Sequence, residues 1–434
     1  MNPLSEINLH LENKGRSRSF FVFIWLLYSL VYMTKNCFSG ALAIIKAEGA
    51  LTLTQASWII SAFYIVYTPL QVVGGKFADK YSPEKLILIS LIGGAISNFV
   101  IYLNQNFWVM LVAWSFNAAI QFSLWPAVYK IASSQLAVVD RTKMVFALSF
   151  CSSFGLLISY GVAAFITKWQ LNFLISSIVL LVLAIVLLVF CSVLKPSFSK
   201  PEPKLENVKI KTTTSRIPKT GAFGIFLASG FLAVLPAVFF RTLAENGSKT
   251  FSSTMLFDSY LNVSPTIGNL LNVLIIIAAP LGMILVKSVL FPRIIKNEMV
   301  MFLILLLSSL PFTVILIFIG TIPVWLAVVS LCVISMTLSG TQMLTQFINL
   351  KYVKYGLSGT AAGVLNCAAS FGFVIQYCLL GSLADAYGWK VVTILWAIMI
   401  TLGVFFILIA VKQSKQFAKT EKEVSWSLEE NNDK

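Results

Sequence analysis

The chain has 434 residues, 58% of them hydrophobic and only 11% charged, with a formal net charge of +15. A water-soluble domain of this length could not cover its surface with so few charges, so composition places the chain in the membrane as a multi-pass protein. The single histidine, His10, lies in the N-terminal tail and the six cysteines form no CxxC, which excludes histidine proton relays and most transition-metal sites.

Apolar runs of about 20 residues, enough to cross a hydrocarbon core of about 30 Å, recur twelve times. The predicted spans are 20–45, 54–77, 86–104, 107–134, 144–167, 171–194, 221–245, 264–290, 298–320, 323–349, 359–384 and 391–411. Each must be helical, because lipid offers the backbone no hydrogen-bond partner. The first is too long for a cleavable signal and lacks a small-residue cleavage site after it. Beyond the seventh, residues 242–262 are either loop or a helix continued past a break at Glu245-Asn246-Gly247. With the N-terminus in the cytoplasm, 26 lysines and arginines fall inside and five outside (Lys46, Lys168, Arg241, Lys249, Lys390), with Lys35 in neither set. That bias predicts a cytoplasmic-membrane protein with both termini cytoplasmic. It also assigns the basic balance to topology and anionic lipid, so no nucleic-acid partner is expected.

In chain order, span one places Lys35 15 residues after Phe20 in "VYMTKNCFSG", roughly 22 Å along a helix. A cation at that depth costs about 2.5–3.5 kcal/mol and needs a cavity or a partner. Tyr28, Tyr32, Lys35 and Ser39 follow at helical spacing and share a face. Span two repeats the pattern with Ser57, Ser61, Tyr64, Thr68 and Gln71, leading to Gly75. Spans four and five add Asn117, Gln121, Trp125, Ser149 and Ser152. Residues 195–220 read as a flexible cytoplasmic linker that divides the spans six and six. In span seven, Glu245 is predicted as a pole opposite Lys35, able to accept a substrate cation, carry a coupling proton or pair with Lys35. Arg241 and Asp258 read as outer-surface charges. Span ten supplies Ser335, Ser339, Gln342, Gln346 and Asn349, and span eleven Asn366. A lone Ser or Thr serves to bond a neighbouring helix, but long stripes of Gln, Asn and Tyr predict a wet interior. Trp58, Trp114 and Trp325 read as interfacial anchors or packing, and the cysteines as small packing residues.

At an offset of 217, "LSFCSSFG" (148–155) lies over "LNCAASFG" (365–372), and Tyr160 falls on Tyr377. The match joins spans five and eleven, as a six-plus-six repeat requires. Such repeats are a transporter architecture with the solute site near the midplane between the halves.

These features resemble the major facilitator superfamily. "GGKFADKYSPEK" (74–85) is similar to its cytoplasmic loop signature, carried here by Gly75, Asp79, Lys80 and Lys85. The resemblance implies that these residues gate the inner side. In the second half, "GMILVKSVLFPR" keeps Gly282 and Lys287 but has Val286 in place of the acid, while Asp385 in "GSLADAYGW" reads as an external turn or cap residue. Within the superfamily the chain is similar to the organophosphate:phosphate antiporter branch through "QFSLWP" (121–126), "SAFYIVYTPLQVVGGKFAD" (61–79) and "FSSTMLFD" (251–258). The resemblance lays that branch's first phosphate-binding arginine on Lys35, or on Thr34 with a gap, its second on Glu245 when Gly247 and "FSSTML" are aligned, a span-two lysine on Gln71, and a span-five histidine on Ser152.

The sequence therefore predicts an all-α integral membrane protein of twelve helices in two pseudo-symmetric six-helix bundles. The domains are a tail (1–19), an N-terminal bundle (20–194), the linker (195–220), a C-terminal bundle (221–411) and a second tail (412–434). The expected function is secondary transport of a small polar or anionic organic solute by alternating access. Its substrate-binding residues are Lys35, Tyr32, Tyr64, Gln71, Gln121, Ser152, Glu245, Gln342 and Asn366, and its gating residues Gly75, Asp79, Lys80 and Lys85. Expected partners are the solute, membrane lipid and a coupling proton or counter-substrate, with the protein a monomer. No metal, cofactor or enzymatic activity is expected. Rival readings are an organophosphate/phosphate exchanger, a sensor on a transporter scaffold, and an intramembrane transferase, for which clustered carboxylates or a catalytic histidine are not visible.

Overall fold

The computed structural model describes residues 14–134, 147–193, 222–352 and 355–432, apart from positions 149, 296 and 356. Regular structure among them is entirely helical. The helices are α1 (Lys14–Lys35), α2 (Cys37–Ala47), α3 (Leu53–Lys80), α4 (Pro83–Leu103), α5 (Phe107–Gln121), α6 (Leu124–Ser134), α7 (Cys151–Ala164) and α8 (Gln170–Val193). They continue as α9 (Ala222–Ala228), α10 (Phe231–Thr250), α11 (Ser252–Ser259), α12 (Pro265–Leu285), α13 (Glu298–Ile315), α14 (Val324–Leu350), α15 (Ser358–Tyr387) and α16 (Trp389–Asn432). Nine helices among the described residues are long and apolar enough to cross a membrane. The other predicted spans are the second, with its polar stripe, the fifth, described only from residue 147, and the seventh, which carries Arg241, Glu245 and Lys249.

Local chemistry sets the helix ends. Thr52 accepts from the Gln55 backbone N–H while the Gln55 side chain accepts from Thr52, a reciprocal cap that starts α3. Asn106 and Asn297 cap α5 and α13 through their side-chain oxygens. Between α15 and α16 the chain turns at Gly388, whose φ of 76° is open to glycine and strained for other residues.

The described residues fall into two compact units. The first comprises Met1–Pro201 with Thr250–Ile277, the second Glu202–Lys249 with Ala278–Lys434. In the first, α4 lies against α5 and α8 through hydroxyl-to-carbonyl bonds, Ser90 to the Ile120 carbonyl at 3.0 Å and Ser177 to the Ala95 carbonyl at 2.9 Å. Thr250–Ile277 joins this unit through Tyr160, which donates to the Thr250 carbonyl at 2.6 Å, and Asn269, which donates to the Gly40 carbonyl at 3.2 Å. Lys46 on α2 also ion-pairs with Asp258 on α11. Asp258, exposed at the surface, is thus tied to the first span.

Glycines mark the close helix approaches. A Cβ at Gly155 would collide with the α1 backbone at Ser29 and Met33, and one at Gly372 would come within 3.0 Å of the Phe239 carbonyl on α10. Spans five and eleven therefore seat their aligned glycines on spans one and seven within their own units. The signature loop is helical as far as Lys80, followed by Tyr81 and Ser82 before α4. Its described close-approach glycine is Gly74, where a Cβ would sit 2.8 Å from the Phe122 carbonyl. Gly282 does the same work in the second unit, against the Met336 backbone.

Candidate functional site

Span one is a broken helix, and the break falls beside its cation. Helix α1 ends at Lys35, Asn36 is non-helical, and its side-chain amide and backbone N–H both donate to the Tyr32 carbonyl, at 2.7 and 3.2 Å. Lys35 thus stands at the junction of two consecutive helical segments, α1 and α2. Its ammonium lies 5.4 Å from the Tyr32 ring centroid and 4.9 Å from that of Tyr67. Tyr32 packs edge-on against Tyr28, and Tyr28 stacks on Trp125 with centroids 5.2 Å apart. Aromatic faces stabilise an ammonium without neutralising it. Among the described residues no carboxylate pairs with Lys35, and the residue is half-buried. A cation held this way retains its hydrogen-bonding capacity for an anion.

The second constellation lies in the second unit. Helix α10 runs without interruption through Glu245, Asn246 and Gly247 to Thr250, so the predicted break is absent and span seven extends beyond 245. Gly247 serves packing, since a Cβ there would lie 2.7 Å from Leu380 and 2.8 Å from the Trp396 indole nitrogen. Continuity puts Arg241, Glu245 and Lys249 on one face at successive i, i+4 steps. Glu245 ion-pairs with Arg241 and accepts from the Lys249 ammonium at 2.6 Å, while Ser339 on α14 donates to it at 2.6 Å. Lys249 also donates to the Ser339 hydroxyl at 2.8 Å. Exposures of 4% for Arg241, 2% for Glu245 and 9% for Lys249 make all three interior residues.

This corrects two sequence expectations. Arg241 and Lys249 are not outer-loop charges, and their removal from the outer tally leaves three. Glu245 is spent within its own unit on two cations and a hydroxyl, so it is not a lone pole and the described contacts do not pair it with Lys35. The group carries net charge +1. A sequence-level signal for it existed, the Arg-x3-Glu-x3-Lys spacing, and became legible only once the helix continued past Gly247.

The remaining expected site residues are scattered. Tyr64 is half-buried and packs against Phe63 at 5.5 Å. Gln121 is buried and donates to Asn117 at 2.5 Å, with both side chains closing on Gly94, so it lies in a helix interface. Ser152 is half-buried, and Gln342 and Asn366 are exposed. Among the gating residues, Lys80 and Lys85 are exposed, on α3 and α4. Gln71, Gly75 and Asp79 are helical, but their side chains lie outside the described set. Tyr67, absent from the expected residues, was detectable as Lys35's neighbour only in three dimensions. No group of His, Cys, Asp and Glu suited to a metal occurs among the described residues.

Comparisons with known proteins match this architecture. Membrane sensor protein UhpC of Escherichia coli (strain K12) is 32% identical over 98 residues, 23% of this chain and 22% of the relative. The probable sulfoacetate transporter SauU of Cupriavidus necator is 40% identical over 70 residues, 16% of each chain. The matched segments thus span less than a quarter of these relatives' length. Among solved structures, a point mutant of the peptide transporter POT in complex with alafosfalin superposes with a TM-score of 0.71 at 14% identity, covering 96% of this chain and 99% of that one. A point mutant of the nucleoside transporter NupG gives 0.67 at 15% identity, covering 90% and 99%. The family model described as Major Facilitator Superfamily matches residues 24–377, and the chain belongs to that superfamily of membrane transporters.

Proposed function

We propose that this protein is a secondary transporter that moves a small anionic or polar organic solute across the cytoplasmic membrane by alternating access. The observation that carries the reading is Lys35, an ammonium at a helix break, flanked by the Tyr32 and Tyr67 rings and without a carboxylate partner among the described residues. A charge left uncompensated within a span is a solute or ion contact by default. In this reading Lys35 takes the solute's negative group, and Tyr32 and Tyr64 contribute hydroxyl or ring contacts. Gln71 and Ser152 extend that polar set in the first unit, and Gln342 and Asn366 offer polar contacts in the second. Within the second unit the Arg241–Glu245–Lys249 group, with its net charge of +1, supplies an electropositive element of its own. Phosphorylated solutes therefore stand beside carboxylates and sulfonates as candidates. The inner gate falls to Gly75, Asp79, Lys80 and Lys85.

Binding by purified protein to a panel of carboxylates, sulfonates and phosphate esters, repeated with Lys35→Ala, tests the reading. Loss of binding in the variant supports it, and unchanged binding removes Lys35 from the site. A sensor function on the same scaffold is the second reading, favoured by the likeness to membrane sensor proteins in two bacteria. Retained solute counterflow in proteoliposomes excludes a sensor without transport.

A further inference from the structure

Gln376 on α15 is fully buried, and neither its carboxamide oxygen nor its nitrogen has a protein partner among the described residues. Buried amides are almost always satisfied, so one open at both ends marks a place where something else binds. Helical periodicity fixes that place. Gly372, one turn before Gln376, lies against Phe239 and Thr242, and Leu380, one turn after it, lies against Gly247. The carboxamide is therefore bracketed at the level of Thr242–Gly247, the stretch of α10 that carries Glu245. Two further buried groups without a partner among the described residues lie on or against the same stretch, the hydroxyl of Thr242, whose Cβ and Cγ2 lie against Gly372, and the indole N–H of Trp396, whose nitrogen lies against Gly247. Thr242 and Trp396 are each 1% exposed.

We infer that Gln376, Thr242 and Trp396 form an uncharged subsite in the second unit that recognises a hydroxyl group of the solute. The three supply donors from an amide, a hydroxyl and an indole, and acceptors from the carboxamide and hydroxyl oxygens, which suits a group that both donates and accepts. Discrimination follows from the same chemistry: a deoxy analogue would leave the buried amide and indole unsatisfied, and sites of this kind reject such analogues strongly. The inference rests on the anionic-solute reading and adds specificity to it.

The test is calorimetric titration of the full-length detergent-solubilised protein with three hydroxylated and deoxy pairs. These are glycerate and propionate, 2,3-dihydroxypropanesulfonate and propanesulfonate, and glycerol phosphate and propyl phosphate. The wild type is expected to bind at least one hydroxylated member about tenfold or more tighter than its partner. Gln376→Leu and Trp396→Phe should bring that ratio close to one while leaving affinity for the deoxy member within about twofold. Thr242→Val gives the same readout if Gln376→Leu does not fold. Binding with no hydroxyl preference in the wild type overturns the inference, as does a wild-type ratio retained in Gln376→Leu, the pattern of a carboxamide that holds only buried water. If none of the six compounds binds, the anionic-solute reading fails and the inference with it.

Discussion

Lys35→Ala separates a structural lysine from a solute-binding one because the two roles move different quantities. The substitution removes two cation–π contacts, each contributing roughly 0.5–2 kcal/mol. It also relieves a charge whose placement in a span costs about 2.5–3.5 kcal/mol. These terms oppose each other, so the stability of the solute-free protein should fall between a loss of about 1.5 kcal/mol and a gain of about 2.5 kcal/mol. Binding moves in one direction, since a charge-assisted hydrogen bond contributes about 1.5–3 kcal/mol, which corresponds to about a 10- to 150-fold rise in Kd. Chemical denaturation of the solute-free protein and calorimetric titration of the anion measure the two separately. A variant destabilised by several kcal/mol that binds with the wild-type Kd would refute the argument and make Lys35 a structural residue.

Three further outcomes are expected. Glu245→Gln strands two interior cations and should lower stability by about 3–5 kcal/mol in denaturant titration; adding Lys249→Met should recover part of that loss, and additive losses would deny the coupling. Lys46→Asp should slow transport in a proteoliposome uptake assay, and the swapped pair Lys46→Asp with Asp258→Lys should restore it, although an exposed ion pair contributes only about 0–1 kcal/mol to stability; a swap as impaired as the single variant would show that the pairing is incidental. Gly282→Ala should lower the thermal midpoint because its Cβ meets the Met336 backbone, whereas Gly363→Ala, with nothing within 4 Å, should raise it by removing the helix-interior cost of glycine, about 1 kcal/mol.

Much of the fold is legible in the sequence because lipid permits one secondary structure and fixes its length. Apolar runs locate spans such as 86–104 and 298–320 within a few residues of α4 and α13. The reasoning falls short where one residue type serves two purposes. Gly247 sits in "ENG", which reads as a break, yet its missing side chain admits Leu380 and Trp396, and the helix continues. That single position hid the Arg241–Glu245–Lys249 spacing and sent two interior cations to an outer loop. Lys35 stands out in the sequence as a charge in an apolar run, but Tyr67, its nearer aromatic neighbour, belongs to another helix and only the three-dimensional contact of the ammonium with that ring reveals it. Gln121, a stripe residue in the sequence, faces Asn117 and Gly94 because helical period alone cannot say which polar stripe faces a cavity and which faces a neighbour.

The central claim, that an anion is carried and Lys35 holds it, is tested most directly by counterflow. Proteoliposomes containing the wild type, preloaded with an unlabelled anion identified by titration, should transiently accumulate the labelled form, and those containing Lys35→Ala should not. Binding of the anion without counterflow by the wild type, or undiminished counterflow by Lys35→Ala, would contradict it.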